Sequence, residues 1–458
     1  MKLPISITVC LLVVVCLAPR IATAQEQRGS GSEGTVEILR SLERRLDELE
    51  QENRAIRAED DRVQSLDSPL ATSSYTPGEG VTISMLNNTS QLKVGATLSG
   101  LAIFSTDRPF SSGLPLFLTP ATPFGESTNT FDLHARQSTL VARFTGPEFC
   151  GLTPGAEIFT LFMNDNLTTD NYGLLLYYAY GELKNDRMRF AAGLQEDIFN
   201  PPGPTVLPFS LLYGSGNPGS YRGQIRFERY FHFADDFQLT FQGGLSEPIS
   251  TIVRGRLIDP LVEDNGWPNV EGRLALELGE IQEFMGGRKR RPFEFGVSGV
   301  VGQLRTTRFV GSPLTVNRVV ADIRAVGCDL QWAVTDRLGV IAEMFVGQTL
   351  GDYNAGILQN FNSDDFRPIR ASGGYAEIYY YLHPQLHLHS GYGIDDPLDR
   401  DLAAGQATCN QTLFCNILYD FSKSFQTGFE VDYRKTNYVS PALDADGVLF
   451  MTQFLWRF

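Results

Sequence analysis

Beyond its N-terminal 24 residues the chain has no run approaching the roughly 18 apolar residues that a membrane helix needs, so a bundle of transmembrane helices is excluded. Lysine is scarce: six of the 38 basic residues are Lys and the rest Arg. Acidic side chains outnumber basic ones by 53 to 38, for a net charge of -15, and such a surface argues against a nucleic-acid partner. Cysteine (6) and histidine (5) are rare, and no CxxC occurs, which removes a structural zinc site. What remains is 42% hydrophobic residues and a mean hydropathy of -0.12 in 458 residues. That composition fits several soluble domains, or one large β-barrel in which only every second strand residue faces lipid.

Residues 1–24 read as a secretory leader: Lys2 supplies charge, Ile5–Leu17 is apolar, and Ala22-Thr23-Ala24 is a small-x-small cleavage site before Gln25. Cys16 has no lipoprotein box around it. Loss of Lys2 and Arg20 leaves 36 basic against 53 acidic residues, a mature charge of about -17. Residues 25–67 carry a heptad pattern with Leu39, Leu46, Asn53 and Asp60 at a, and Leu42, Leu49, Ile56 and Val63 at d. Arg45 at g faces Glu50 at the next e. The pattern predicts a short coiled coil that oligomerises on the periplasmic side; the bland alternative is an amphipathic helix packed on its own domain. Asn at a leaves the number of strands open between dimer and trimer. Residues 68–90 read as a linker, rich in Ser, Thr, Pro and Gly up to Gly80.

The last stretch alternates strictly. Phe458, Trp456, Phe454, Thr452, Phe450 and Val448 share one face, and Arg457, Gln453 and Met451 the other. An apolar, aromatic-tipped strand fits the lipid-facing wall of an outer-membrane barrel, and it resembles the C-terminal signal read by the barrel-assembly machinery, with Gln453 where a Gly is usual. Sixteen such segments follow one another over 91–458, near 91–104, 130–145, 155–164, 172–184, 187–196, 219–231, 236–247, 268–280, 293–304, 318–332, 336–348, 369–382, 385–394, 412–421, 424–436 and 446–458. Short turns alternate with long loops, except that 165–171 is short for a loop and 281–292 long for a turn. The expectation is an all-β fold, a 16-stranded antiparallel transmembrane barrel preceded by a short N-terminal coiled-coil helix. Sixteen strands leave an aqueous lumen. Facing is ambiguous near Gln137 and Leu330, where the alternation slips.

The order of the leader, the coiled coil, Phe131-Asp-Leu-His-Ala-Arg-Gln-Ser-Thr-Leu140, Tyr178-Ala-Tyr-Gly-Glu-Leu183, a Pro-rich segment and Arg222-Gly-Gln-Ile-Arg226 resembles the DcaP-like outer-membrane porins over essentially the whole mature chain. That resemblance implies a trimer of 16-stranded barrels in the outer membrane of a Gram-negative-type bacterium, with a periplasmic coiled-coil arm and a loop folded into each pore. It also implies that Arg136 and Arg226 face the lumen and that small anions such as dicarboxylates are favoured cargo. The chain departs from the pattern at Thr139, where a second Arg is common, so the exact substrate does not carry over.

Candidate site residues follow from position. The loop 197–218 has no charge beyond Asp197, and Pro201, Pro204, Phe209 and Tyr213 mark it as a stiff constriction loop with an apolar face. Arg136, Arg189, Arg222, Arg226, Arg273 and Glu228 are expected to line the pore, where arginines either select anions or merely pair with acidic neighbours. His387 and His389 face one side of a strand and read as a lumen pair rather than metal ligands, because no third ligand stands at a suitable spacing. Cys409 and Cys415 form a disulfide or remain two thiols. No catalytic motif and no cofactor are expected. The function read here is passive diffusion of small hydrophilic solutes. The competing reading is an envelope structural or adhesive protein that uses the barrel as an anchor.

Overall fold

The computed structural model describes residues 71–85, 89–120, 128–163, 172–249, 262–264, 266–285, 287, 289–310 and 315–458, together with Ser41, Arg44, Arg45, Glu48, Leu49 and Gln51. The chain divides into two compact units, Met1–Ser68 and Pro69–Phe458. In the first, the six described residues are helical, and Arg45 bonds Glu48 one turn on at 2.9 Å. Of the expected seam only Leu49 is described, helical and exposed. Leu39, Leu42, Leu46, Asn53 and Ile56 lie outside the described residues, as does the leader.

The second unit is a closed antiparallel barrel of 16 strands. In chain order they are β1 Ser90–Ser105, β2 (in two pieces, Thr130–His134 and Thr139–Thr145), β3 Thr153–Met163, β4 Tyr172–Lys184, β5 Met188–Glu196 and β6 Tyr221–Ala234. Next come β7 Phe237–Ser246, β8 Asn269–Leu278, β9 Phe293–Val310, β10 Thr315–Ala333 and β11 Leu338–Gln348. The last five are β12 Arg370–His383, β13 Leu386–Pro397, β14 Ala407–Ser422, β15 Phe425–Tyr438 and β16 Ala445–Arg457. Each pairs with the next, and β16 closes on β1 with Trp456 opposite Leu98 and Phe454 opposite Gly100. Closure leaves no barrel edge to be satisfied by solvent, which is what lets strands sit in hydrocarbon.

Period-two polarity sorts the side chains. Ile225, Phe241, Leu274, Val297, Val326, Met344, Ile378, Leu413 and Phe429 are exposed on the outer wall. Their neighbours Gln224, Arg226, Glu271, Arg273, Asp329, Glu343, Glu377, Asn416 and Glu430 are buried inside. Near the short-turn end the outer aromatics form a girdle: Phe233 stacks on Phe237, Phe293 meets Trp332, and Phe421, Phe425 and Trp456 follow around the wall. Such girdles mark the level of the membrane interface. Alternation through Leu330 is regular, with Asp329 buried between Cys328 and Leu330.

Three details differ from expectation. The stretch 130–145 is interrupted at 135–138, so the slip seen at Gln137 is a bend between two strand pieces. The residues read as a linker contain a hairpin, Ala71–Thr76 with Gly80–Met85, whose second strand pairs with the start of β1. Phe458 pairs with Ala96, so residues 90–94 of β1 would otherwise present an open edge, and the hairpin covers it. The loops near 305–317 and 395–411 are shorter than expected, because β9 and β10 stay paired out to Val310 and Thr315 and β14 begins at Ala407.

Of the two states open for Cys409 and Cys415, a disulfide or two thiols, the structure has the second, and both are free. They lie on one strand, β14, and six residues of extended chain separate their Cα atoms by about 20 Å, far beyond disulfide reach.

Candidate functional site

Residues 197–220 leave β5 and return as β6, and the base of the excursion is tied by Asp197 N–H donating to Ser220 O at 3.0 Å. Between these points the chain crosses the barrel interior. Ile198 N–H donates to Glu271 on β8 (2.8 Å), Thr205 N–H to Glu377 on β12 (2.7 Å) and Leu207 N–H to Glu430 on β15 (2.8 Å). Three inward carboxyl groups thus staple an irregular segment that has no ladder of its own. Asn416 of β14 donates to Thr205 O and Asn410 to Gly214 O, at 2.7 and 2.8 Å.

Apolar residues of the same segment pack on separate walls. Leu207 joins Leu101, Ile103, Leu449 and Met451 of β1 and β16. Leu212 sits with Ile341, Tyr375 and Phe414. Tyr213 and Phe209 meet Leu161 and Tyr177 on β3 and β4. Gly216 (φ +102°) presses on Gly374 of β12, where a Cβ would collide with the Gly374 carbonyl, so only glycine allows that approach. Pro204 and Tyr213 are buried, Pro201 and Phe209 half-buried, and Gly203 stands exposed with open space around it.

Two further loops turn inward. Leu114, Leu116 and Leu118 are buried, and their backbone is held by Arg434, Asn410, Thr436 and Tyr438. The segment after β11 backs the 197–220 loop through Gly214 N–H to Asn354 O and Gly219 N–H to Tyr353 O, both 2.7 Å. Asp395 receives Gly356 and Ile357 N–H from the same segment.

The expected pore arginines all point inward, and each meets a carboxylate. Arg136 is buried against Asp132, with Gly113 folded over the pair. Arg189 bonds Glu182 (2.6 Å) and Glu228 (2.8 Å), and Arg226 reaches Glu228 at 2.9 Å, so Arg189, Arg226 and Glu228 form one cluster. Arg273 stands apart, holding Asp329 (2.5 Å) and Glu294 (2.7 Å). Arg222 is fully buried and spends all five N–H groups, two on Asp197 and three on the carbonyls of Glu247, Pro248 and Asp352. Its guanidinium lies 3.8 Å from the Tyr353 ring centre. Arg222 is therefore an anchor of three loops, with no N–H left for a solute.

Of the carboxylates that hold the loop, Glu271 and Glu430 fall on the charged, inward series of their strands in the sequence, but none of the three, Glu377 included, was legible there as a loop acceptor. A cavity of about 230 Å³ opens beside Thr205. Tyr379, Tyr381, His387, His389, Gln426 and Arg457 line it from the wall, and Phe284, Met285 and Arg290 from the long 281–292 turn. That turn is tucked in, with Phe284 buried and Arg290 donating to Tyr379 Oη at 2.9 Å.

No protein-family model matches the chain, and no curated protein does. Among solved structures, the outer membrane channel DcaP of Acinetobacter baumannii superposes with a TM-score of 0.59 at 14% identity, over 81% of this chain and 99% of that one. The chain has the fold of that channel. The motif order that resembles the DcaP-like porins is thus met by a matching architecture. An anion-selective porin from Comamonas acidovorans (TM-score 0.49, 10% identity, 81% of this chain and 100% of that one) and OmpT of Vibrio cholerae (0.49, 11%, 82% and 99%) are also similar.

Proposed function

We propose that the protein is an outer-membrane porin, a passive, cofactor-free diffusion channel for small hydrophilic solutes. The observation that carries this reading is the pairing of an apolar outer wall with a polar inner wall onto which the 197–220 loop is stapled by Glu271, Glu377 and Glu430. A loop held this way narrows a lumen without filling it by side chains alone. Pro201, Pro204, Phe209 and Tyr213 are its constriction residues in this reading. Arg136, Arg189, Arg226, Arg273 and Glu228 shape the field along the wall. A weak preference for anions, dicarboxylate-like ones among them, is supported by Arg290 and Arg457 on the cavity beside Thr205, whose lining among the described residues includes no carboxylate.

The unit assembles as a homotrimer through the 25–67 segment, on the periplasmic side, and Phe458 is its handle for the barrel-assembly machinery. Single-channel recording on the refolded mature protein tests this. Three equal current steps per insertion are expected, with a reversal potential in a salt gradient that favours anions. Folded, inserted protein that passes no current sinks the channel reading. One observation favours the alternative, a barrel that anchors an envelope structural or adhesive protein: among the described residues, three loops rather than one pack into the interior, and the 281–292 turn is tucked in as well.

A further inference from the structure

Four inward side chains of β12, β13 and β14 stand in one row. Glu377 Oε1 lies 2.6 Å from His389 Nδ1, His389 Nε2 lies 2.8 Å from His387 Nδ1, and His387 Nε2 lies 3.3 Å from Asp420 Oδ2. Both imidazoles are buried. The ends of the row are tied to different parts of the molecule. Glu377 Oε2 accepts Thr205 N–H from the stapled loop at 2.7 Å. Asp420 Oδ1 accepts from Gln426 Nε2 at 2.7 Å and lies 3.9 Å from Arg457, near the short-turn end.

Counting protons shows why this row is not inert. It has three gaps, and each needs one hydrogen. Ionised carboxylates only accept, and a neutral imidazole carries one N–H. Two neutral rings supply two protons, so one gap sets acceptor against acceptor. With His389 donating to Glu377 and His387 donating to His389, the bare pair is His387 Nε2 and Asp420, the longest contact of the three. A third proton completes the row as one imidazolium between two carboxylates. A fourth makes both rings imidazolium, with every nitrogen a donor. The contact between the rings then sets N–H against N–H, and they must part.

We propose that the His387–His389 pair is a proton-responsive latch on the 197–220 loop, closed while the row holds one extra proton and opened when both rings are charged. The rings line the cavity beside Thr205, so there is space for them to swing. His389 then moves against Glu377, the residue that holds the loop from β12. The charged and titratable groups facing the pair are Glu377, Tyr379 and Tyr381 on β12, Asp420 on β14, Arg290 from the 281–292 turn and Arg457 on β16. Imidazole is the side-chain type whose ordinary change of charge falls between about pH 5 and 8, which sets the interval for the test. The consequence for current rests on the channel reading above; the movement of the loop does not.

Two readouts on the full mature protein separate those layers. In bilayers, wild-type conductance or closed-state occupancy is expected to change about twofold or more between pH 8 and pH 5, and His387→Gln/His389→Gln to flatten that profile. In hydrogen exchange, the amides of 203–209, corrected for intrinsic pH dependence, are expected to lose about tenfold of their protection over the same interval in wild type only. A double variant with the wild-type pH profile overturns the latch. If the double variant does not refold, His387→Phe takes its place, and wild-type exchange that is flat with pH overturns the proposal alone. A folded barrel that carries no current at any pH defeats the channel reading, and the exchange experiment still decides the latch.

Discussion

Arg222 and Asp197 meet through two parallel bonds, Nε to Oδ1 at 2.6 Å and Nη2 to Oδ2 at 3.0 Å, in a place neither side chain shares with solvent. The pair joins the first residue of the inward loop to the second residue of the strand that follows it. Because Arg222 also binds the carbonyls of Glu247, Pro248 and Asp352, its loss frees three loops at once.

Arg222→Ala leaves Asp197 buried without a counter-charge, which costs about 3–5 kcal/mol in comparable sites. The expected result is a marked fall in the temperature at which the folded, heat-modifiable band is lost on gel electrophoresis. Arg222→Lys should recover little of it, since an ammonium cannot form the parallel pair or reach three further carbonyls.

Glu430 accepts from both Leu207 N–H and Asn416 Nδ2. Glu430→Ala removes from the loop a hydrogen bond of about 1 kcal/mol while leaving the strand ladder intact. Faster amide exchange at Leu207 and noisier single-channel current are expected from protein that still inserts. Unchanged protection at Leu207 would show that apolar packing alone holds the loop.

Gly203 has open space where a side chain would project. Gly203→Trp is therefore expected to start its side chain into open space and direct an indole into the passage beside the loop. Conductance should drop about twofold or more with little change in thermal stability. Equal conductance would place the solute path elsewhere.

Asp401 receives Arg370 Nε and Nη2, both at 2.6 Å, and docks the loop after β13 on the start of β12. The Arg370 hydrogen bond leads the causes that hold the Asp401 carboxyl below its ordinary value of 3.8. A depressed carboxylate contributes its stability above the ordinary value and loses it as pH falls through the lower one. Loop 398–406 should resist protease at pH 5 to 7 and become susceptible only in stronger acid. Asp401→Asn should be susceptible throughout, as read by limited proteolysis and mass spectrometry.

The alternation at Phe425–Tyr433, or at Val270–Leu278, was enough to place strands and to separate the lipid face from the water face, because that polarity is decided residue by residue. Turn residues set the alternating connection lengths in the same local way. Arg189, Arg222, Arg226 and Arg273 could therefore be placed inward from the chain alone, whereas Arg136 sits where the alternation slips and its inward place came from the resemblance. What each arginine touches could not be read there. Arg273 meets Asp329 across 56 residues and Arg434 meets Pro115 O across 319, and burial forces such charges to find partners that only strand pairing and, for Arg434, closure of the barrel bring near. Tertiary structure likewise decided that Arg222 is an anchor rather than a pore surface. It decided too that Glu271, Glu377 and Glu430 hold a loop, that residues 135–138 break a strand, and that Cys409 and Cys415 stay apart. Side-chain period is a property of the chain, whereas the pairing of a buried polar group is a property of the space the folded wall encloses.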